Sequence, residues 1–185
     1  MNAIGWVAVV VVVLVALGAV GYFLATQNRR RRLQDRFGPE YDRAIQETDN
    51  RRVAEQELLA REARVAELDI RPLDDETRET YAKKWMEVQE RFVDAPGFAV
   101  TEADALVTAV MADRGFPTDE FEERLNVLSV KYGNTLDRYR QAHEISGRAA
   151  RQEAGTEELR QAMVHYRALF EELLMDSPRP KEADR

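Results

Sequence analysis

The sequence predicts an all-α protein, in which a single N-terminal transmembrane helix precedes an irregular bundle of five or six short helices. Three observations support this fold class. Residues 4–25 contain no charged side chain. The apolar residues that follow recur at helical spacing. The β-branched residues that favour strands concentrate in the N-terminal run, so no strand is expected after it.

The apolar run at residues 4–25 is long enough to cross a membrane once. A helix rises about 1.5 Å per residue, so this run reaches roughly 33 Å, close to the hydrocarbon thickness of a bilayer. Aromatic residues lie near both ends of the run, where amphipathic rings prefer the interface, and four arginines follow it. The predicted membrane-interface residues are Trp6, Tyr22, Arg29, Arg30, Arg31 and Arg32.

The position of the basic residues predicts the orientation of the chain. Basic residues beside a membrane span stay in the cytoplasm, which places the N-terminus outside and the C-terminal domain in the cytoplasm. The alternative is secretion after cleavage of a signal peptide, but signal peptides carry their basic residues before the apolar run. Gly21 and Ala25 form one small-xxx-small spacing, which would allow a homo-oligomer through the anchors.

The acidic charge of the chain lies after the arginines. The net charge is −7, and residues 33–185 contain 34 acidic and 23 basic residues. Such a domain is not expected to bind nucleic acid, whereas the lipid bilayer is the predicted partner of the apolar run. The chain has no cysteine, which excludes disulfides and thiolate metal sites.

Composition and helix breakers divide the chain into five parts. Gly38-Pro39 ends a segment that begins beside the anchor. The residues Thr48-Asp49-Asn50 predict a break or a kink, with a cap for a second helix near Arg51. The predicted parts are a transmembrane anchor (4–25), a basic juxtamembrane segment (26–37), a charged helical stalk (38–72), a helical domain (73–175) and a disordered tail (176–185).

Within the helical domain, capping residues predict where helices begin. Side chains of Asp, Asn and Thr accept hydrogen bonds from the free amides of a first helical turn. The predicted caps are Asp74, Asp119, Asn134 and Thr156.

Two apolar stripes are expected to meet in the core, because each is too apolar to face water. They belong to the first and the last helix of the domain. The stripes are Tyr81, Trp85, Val88 and Phe92 in the first helix, and Leu159, Met163, Tyr166, Phe170 and Leu173 in the last.

Four segments of the sequence carry a resemblance to a known family. They are RFGPEYDR (36–43), WMEVQERFVDAP (85–96), EADALVTAVMADRGFP (102–117) and TEELRQAMVHYRALFEELL (156–174). These segments resemble an uncharacterised bacterial family of short, membrane-anchored proteins that are often labelled as secreted. The resemblance covers most of residues 33–174 and implies no activity or functional residue. Residues 131–134 depart from a proline-containing turn of that family, so the helix boundary there stays open.

No catalytic, cofactor-binding or metal-binding residue is predicted. His143 and His165 are the only histidines, and neither lies in a Glu-x-x-His or H-E-x-x-H pattern. Each is therefore expected to be a hydrogen-bonded structural histidine. The sequence favours a membrane-tethered interaction or scaffold module with a protein partner over an enzyme. The alternative is a ligand-binding or catalytic helical domain whose pocket has no sequence motif.

Overall fold

The computed structural model describes the backbone of residues 3–175 and the side chains of residues 13, 14 and 16–175. The side chain of Trp6 and the predicted tail at residues 176–185 lie outside this part. The described elements are all helices, which confirms the all-α prediction for these residues. The helices are α1 (Ala3–Phe37), α2 (Pro39–Thr48), α3 (Arg51–Glu67), α4 (Asp75–Asp94), α5 (Pro96–Asp113), α6 (Phe121–Lys131), α7 (Gly133–Ala150) and α8 (Thr156–Met175).

The first helix contains the predicted anchor and continues to Phe37. The predicted span begins at residue 4, and the side chains of residues 4–12 and of Val15 lie outside the described ones. Within the described part of the chain, no helix combines the length and the apolar character that a membrane crossing requires.

Seven helices follow α1 in the described residues, against the five or six that were predicted. The segment assigned to the stalk contributes two of them, because the chain breaks after Thr48 and resumes as a helix at Arg51. The Asn50 side chain accepts a hydrogen bond from the backbone N–H of Arg52 at 3.0 Å. The cap predicted at this break is therefore confirmed.

The start of α4 also follows the prediction, since Asp74 accepts a hydrogen bond from the backbone N–H of Thr77 at 2.7 Å. The start of α8 lies one residue earlier than predicted. Thr156 is its first helical residue, and the preceding Gly155 donates its N–H to the Glu158 carboxylate at 2.8 Å. This bond is the glutamate half of a capping box.

The caps predicted at Asp119 and Asn134 are wrong. Helix α6 begins two residues after Asp119, at Phe121, whose ring stacks on that of His143 with centroids 3.9 Å apart. Asn134 lies inside the first turn of α7, and its side chain packs under Gly38 instead of capping. Tertiary contacts therefore set both starts, and neither has a side-chain cap.

The hydrophobic core takes residues from helices along the described chain. Helix α7 packs against α8, both contact α5, and α4 covers α5. The α2–α3 pair contacts α6 and α7, and the end of α1 lies against the same helices. Leu33 is 1% exposed and Phe37 is 0% exposed, so the last turns of α1 belong to the core.

The two predicted apolar stripes meet, as expected. The rings of Trp85 and Phe170 stack with centroids 4.7 Å apart and an interplanar angle of 22°. Tyr81 and Val88 are buried on the α4 side, whereas Phe92 is only partly buried at its end. The first and last helices of the predicted domain are thus joined through aromatic packing.

Two glycines permit close approaches that position α1. Gly38, between α1 and α2, has a φ of +53°, a region that residues with a Cβ rarely adopt. A Cβ at Gly133 would lie 2.4 Å from the carbonyl oxygen of Phe37. The backbone of α7 therefore begins directly against the end of α1.

Candidate functional site

A basic cavity lies between α1 and the first turns of α3, with a volume of about 450 Å³. It contains three of the six predicted interface residues, Tyr22, Arg29 and Arg30. The lining residues are Tyr22, Phe23, Thr26, Gln27, Arg29 and Arg30 from α1, and Arg51, Arg52, Glu55 and Gln56 from α3.

The other two described interface residues lie elsewhere. Arg32 donates a hydrogen bond to Glu62 of α3 at 2.7 Å, and Arg36 lies 3.1 Å from the same carboxylate. Arg31 is exposed. The structure thus separates the predicted arginine run into residues that line the cavity and a residue that fastens α1 to α3.

The direction of α3 follows from these contacts. Its first residues, Arg51 and Arg52, lie beside residues 22–30 of α1, and its later residue Glu62 lies beside Arg32 and Arg36. Helix α3 therefore runs in the same direction as α1. The turn between α2 and α3 consequently lies level with the end of the apolar run.

Sequence reasoning did not assign Arg51 and Arg52 to any site. They follow the Asn50 cap and look like solvated residues at a helix start, because their proximity to α1 depends on the return of the chain through α2. The available signal was the arginine pair that follows the predicted break at residues 48–50 directly.

Tyr41 and Glu55 form the polar contact between α2 and α3 beside this cavity. The Tyr41 hydroxyl donates to the Glu55 carboxylate at 2.9 Å. Burial and this hydrogen bond raise the pKa of Tyr41, and the positive charges of Arg30 and Arg51 oppose the rise. Both arginines therefore act on the same residue, one from each helix.

A second group of polar side chains lies between α5, α6 and α7. The His143 Nδ1 atom lies 3.2 Å from the Asp104 carboxylate, so His143 has the hydrogen-bonded role expected of it. Phe121 stacks on the other side of the imidazole. A carboxylate and an aromatic ring thus fix the orientation of this histidine.

Arg124 and Tyr139 extend this group into the core. Arg124 is 9% exposed, and its Nη1 donates to the Thr108 hydroxyl at 2.8 Å and to the Tyr139 hydroxyl at 3.2 Å. Burial raises the pKa of Tyr139 to about 12. The phenol therefore stays neutral at physiological pH and accepts the hydrogen bond from Arg124.

Tyr166 and His165 of α8 are less well satisfied. Neither ring nitrogen of His165 has a hydrogen-bond partner among the described residues, contrary to the expectation. The Tyr166 hydroxyl lies near Asp104 and Ser146 but forms no hydrogen bond of good geometry with them. Burial raises the pKa of Tyr166 and lowers the pKa of His165, where Arg138 adds to the effect. Both groups are kept neutral because burial disfavours a charge, and the Asp104 carboxylate adds to this effect on Tyr166.

A buried ion pair joins α2 to α7. The Glu40 carboxylate is 4% exposed and accepts two hydrogen bonds from Arg140, each at 2.8 Å. Arg61 of α3 lies 3.6 Å from the same carboxylate. The arrangement is structural in character, because it fastens the α2–α3 pair to α7.

Among the described residues, Arg114 is the largest fully buried side chain, and it lies at the end of α5. It is 2% exposed and donates to the carbonyl oxygens of Arg71 and Leu173 and to the hydroxyl of Tyr132. These bonds tie the end of α5 to the end of α8.

No group of three or more side chains that could hold a metal ion occurs within the described part of the chain. Comparisons with protein-family models, with curated proteins and with solved structures find no match to this chain. The function proposed below therefore rests on the residues and their geometry.

Proposed function

We propose that this chain is a membrane-tethered helical interaction module, anchored by residues 4–25. The observation that carries the proposal is the division of α1 into two environments. Leu14 and Leu17 are 62% and 63% exposed, and the described side chains of residues 16–29 are all exposed, whereas Phe37 is 0% exposed. Apolar side chains exposed around a helix are unfavourable in water and favourable in hydrocarbon.

The proposed orientation places the N-terminus outside and the helical domain in the cytoplasm, because the arginine run follows the apolar residues. Secretion after cleavage within the apolar run is the competing outcome.

Labelling of single cysteines tests the orientation in a chain that has no cysteine of its own. In intact cells, an impermeant thiol reagent should label Asn2→Cys, and it should label Ala150→Cys only after lysis. Ala150 is exposed at the end of α7. Labelling of Ala150→Cys before lysis would show that the C-terminal domain lies outside the cell. A shortened protein in the medium would favour secretion.

The interaction role is supported by apolar side chains that the domain leaves exposed. Val93 is 82% exposed and Phe98 is 60% exposed, on either side of the junction between α4 and α5. Large apolar side chains that stay exposed near one junction of the chain favour contact with another protein. The proposed partner is a protein, since the acidic charge of the domain disfavours nucleic acid.

Photo-crosslinking in native membranes tests the interaction role. A photoreactive residue in place of Phe98 should give a crosslinked protein, whereas one in place of Thr80, an exposed polar position of α4, should not. A product with twice the mass of the chain would identify a homo-oligomer. Identical products from both positions would show that the α4–α5 junction has no special role.

A ligand-binding or catalytic domain is the second candidate, and the contact between Asp104 and His143 favours it. A carboxylate that orients an imidazole is the geometry of a general base, and the two side chains are 21% and 34% exposed. Under the interaction proposal, His143→Gln should preserve the crosslinks. A small molecule whose binding is lost in His143→Gln at unchanged helix content would favour the second candidate.

Membership of the uncharacterised bacterial family is likewise a proposal, based on the four similar segments. The segment RFGPEYDR has a structural role in this chain, because it contains the positive-φ Gly38 and the buried Glu40. Such requirements would conserve the segment in any protein with this junction, whatever its activity.

A further inference from the structure

The basic cavity between α1 and α3 brings together positive charges from two helices. Arg29, Arg30, Arg51 and Arg52 line it with a single carboxylate, that of Glu55. The local charge of +3 contrasts with a net charge of −7 for the chain. Arg29 and Arg30 belong to the arginine run that predicts the orientation of the chain, whereas Arg51 and Arg52 lie outside that run and double the positive charge of the cavity.

The four guanidinium groups have no ion-pair partner in the part of the chain that the structure describes. No salt bridge involves any of them within the described residues, whereas Arg32 and Arg36, directly after them on α1, both pair with Glu62. The Nε atom of Arg30 is buried and has no hydrogen-bond partner among these residues. Glu55 is already engaged as the acceptor of the Tyr41 hydroxyl. The cavity therefore offers an anion one buried donor without a protein partner, on Arg30, and three exposed guanidinium groups.

The walls of the cavity are apolar on the side of the membrane run. Tyr22 and Phe23 are 67% and 64% exposed and form the part of the lining nearest to the N-terminus of α1. If residues 4–25 are inserted as proposed above, these rings lie at the interface between hydrocarbon and headgroups. The arginines then lie at the depth of the lipid phosphates. This inference therefore rests on the proposed insertion of residues 4–25.

Guanidinium groups bind phosphate oxygens through paired hydrogen bonds, and basic pockets beside membrane helices accept lipid headgroups. We propose that this cavity binds the phosphate of an anionic phospholipid, with the headgroup held between α1 and the start of α3. The N-terminal end of α3 thereby becomes a second contact with the membrane surface. Helix α1 lines only one side of the cavity, and Arg51 and Arg52 lie on the other side. These two arginines are therefore the residues that determine the preference for an anionic headgroup.

The test measures lipid binding to the full chain in detergent, so that it does not depend on membrane insertion. Short-chain phosphatidylglycerol should bind more tightly than short-chain phosphatidylcholine. The double variant Arg51→Gln/Arg52→Gln should weaken phosphatidylglycerol binding by about 30-fold, the effect of two basic residues at an anionic surface. The matched control is Arg64→Gln/Arg138→Gln, which removes two exposed arginines without salt bridges in the described residues and should change binding less than about twofold.

Three outcomes would overturn the proposal: equal binding of the two lipids, equal weakening by the control variant, or unchanged binding by the Arg51→Gln/Arg52→Gln variant at unchanged helix content. Inorganic phosphate should compete only weakly, and binding of phosphate as tight as that of the lipid would assign the cavity to a soluble anion instead. Flotation of the wild-type chain with phosphatidylcholine vesicles reports separately on the anchor. Failure to float would refute the proposed membrane anchor. The measurement in detergent would still show whether the cavity binds the anionic lipid.

Discussion

The contact of α2 with α7 and the contact of α4 with α8 both join distant parts of the sequence, but by different chemistry. Glu40 and Arg140 form a buried ion pair with two hydrogen bonds, whereas Trp85 and Phe170 stack as apolar rings. A stacked pair contributes through burial, and each ring stabilises the fold even when its partner is changed. A buried ion pair depends on both members, because a single remaining charge is left without compensation.

The largest expected effects come from the stacked rings. Trp85→Ala and Phe170→Ala should each reduce the free energy of unfolding by about 3 to 5 kcal/mol, since both side chains are buried. The double variant should show coupling of about 0.5 to 1.5 kcal/mol from the lost ring contact. Denaturant unfolding of the full chain, followed by circular dichroism, measures both quantities. Unchanged midpoints in both single variants would mean that the rings face solvent.

The ion pair should respond differently to single and double changes. Glu40→Met should destabilise the protein by about 3 kcal/mol, because Arg140 is then left partly buried without its main partner. Glu40→Met combined with Arg140→Met should recover most of that loss, since two apolar side chains can replace a buried pair. The same unfolding experiment gives the comparison. A double variant as unstable as the sum of the single variants would mean that neither charge depends on the other.

A smaller effect should come from the junction that brings α1 to α7. Gly133→Ala places a Cβ against the Phe37 carbonyl and should destabilise the protein by about 1 to 3 kcal/mol through a forced backbone shift. Gly147→Ala in the same helix is the matched control, because its surroundings are open and alanine favours a helix by about 0.5 to 1 kcal/mol. Thermal unfolding should therefore move in opposite directions for the two variants. Movement in the same direction would mean that the approach of Phe37 is not tight.

The smallest effect is expected for an exposed ion pair at the same α2–α7 boundary. Arg43 donates to Asp137 at 2.9 Å, and both side chains are nearly half exposed. Arg43→Gln should change stability by no more than about 1 kcal/mol, because solvent screens such pairs. A loss comparable to that of Glu40→Met, measured in the same series, would show that burial does not separate the two charged contacts.

The same comparison explains how far the sequence could predict the fold. Helical spacing identified the stripes that contain Trp85 and Phe170, because apolar residues at that period have to be buried together. Glu40 and Arg140 could not be recognised, since a third of the residues are charged and burial alone distinguishes this pair. The Asp74 and Asn50 caps depend on local hydrogen bonds and were predicted correctly.

The candidate site was predictable only on the side that α1 contributes. Tyr22, Arg29 and Arg30 follow from the end of an apolar run, which is a local feature of the sequence. Arg51 and Arg52 reach the cavity because α2 returns the chain along α1. That return depends on the positive φ of Gly38 and on contacts with α7. The cap expected at Asn134 was wrong for the same reason, because its side chain packs against that junction.

The burial of Leu33 and Phe37 makes α1 a rigid connection to the domain instead of a flexible linker. From Ala25 to Phe37 the helix rises about 18 Å, and α3 packs along this length through Arg32 and Glu62, so an anchor inserted as proposed would hold the domain in one orientation beside the bilayer. A flexible linker of the same number of residues would let the domain move and rotate within a radius of similar size. A rotation or tilt of α1 would therefore turn the whole domain. If two anchors paired in the membrane as proposed, their domains would be held in one mutual orientation.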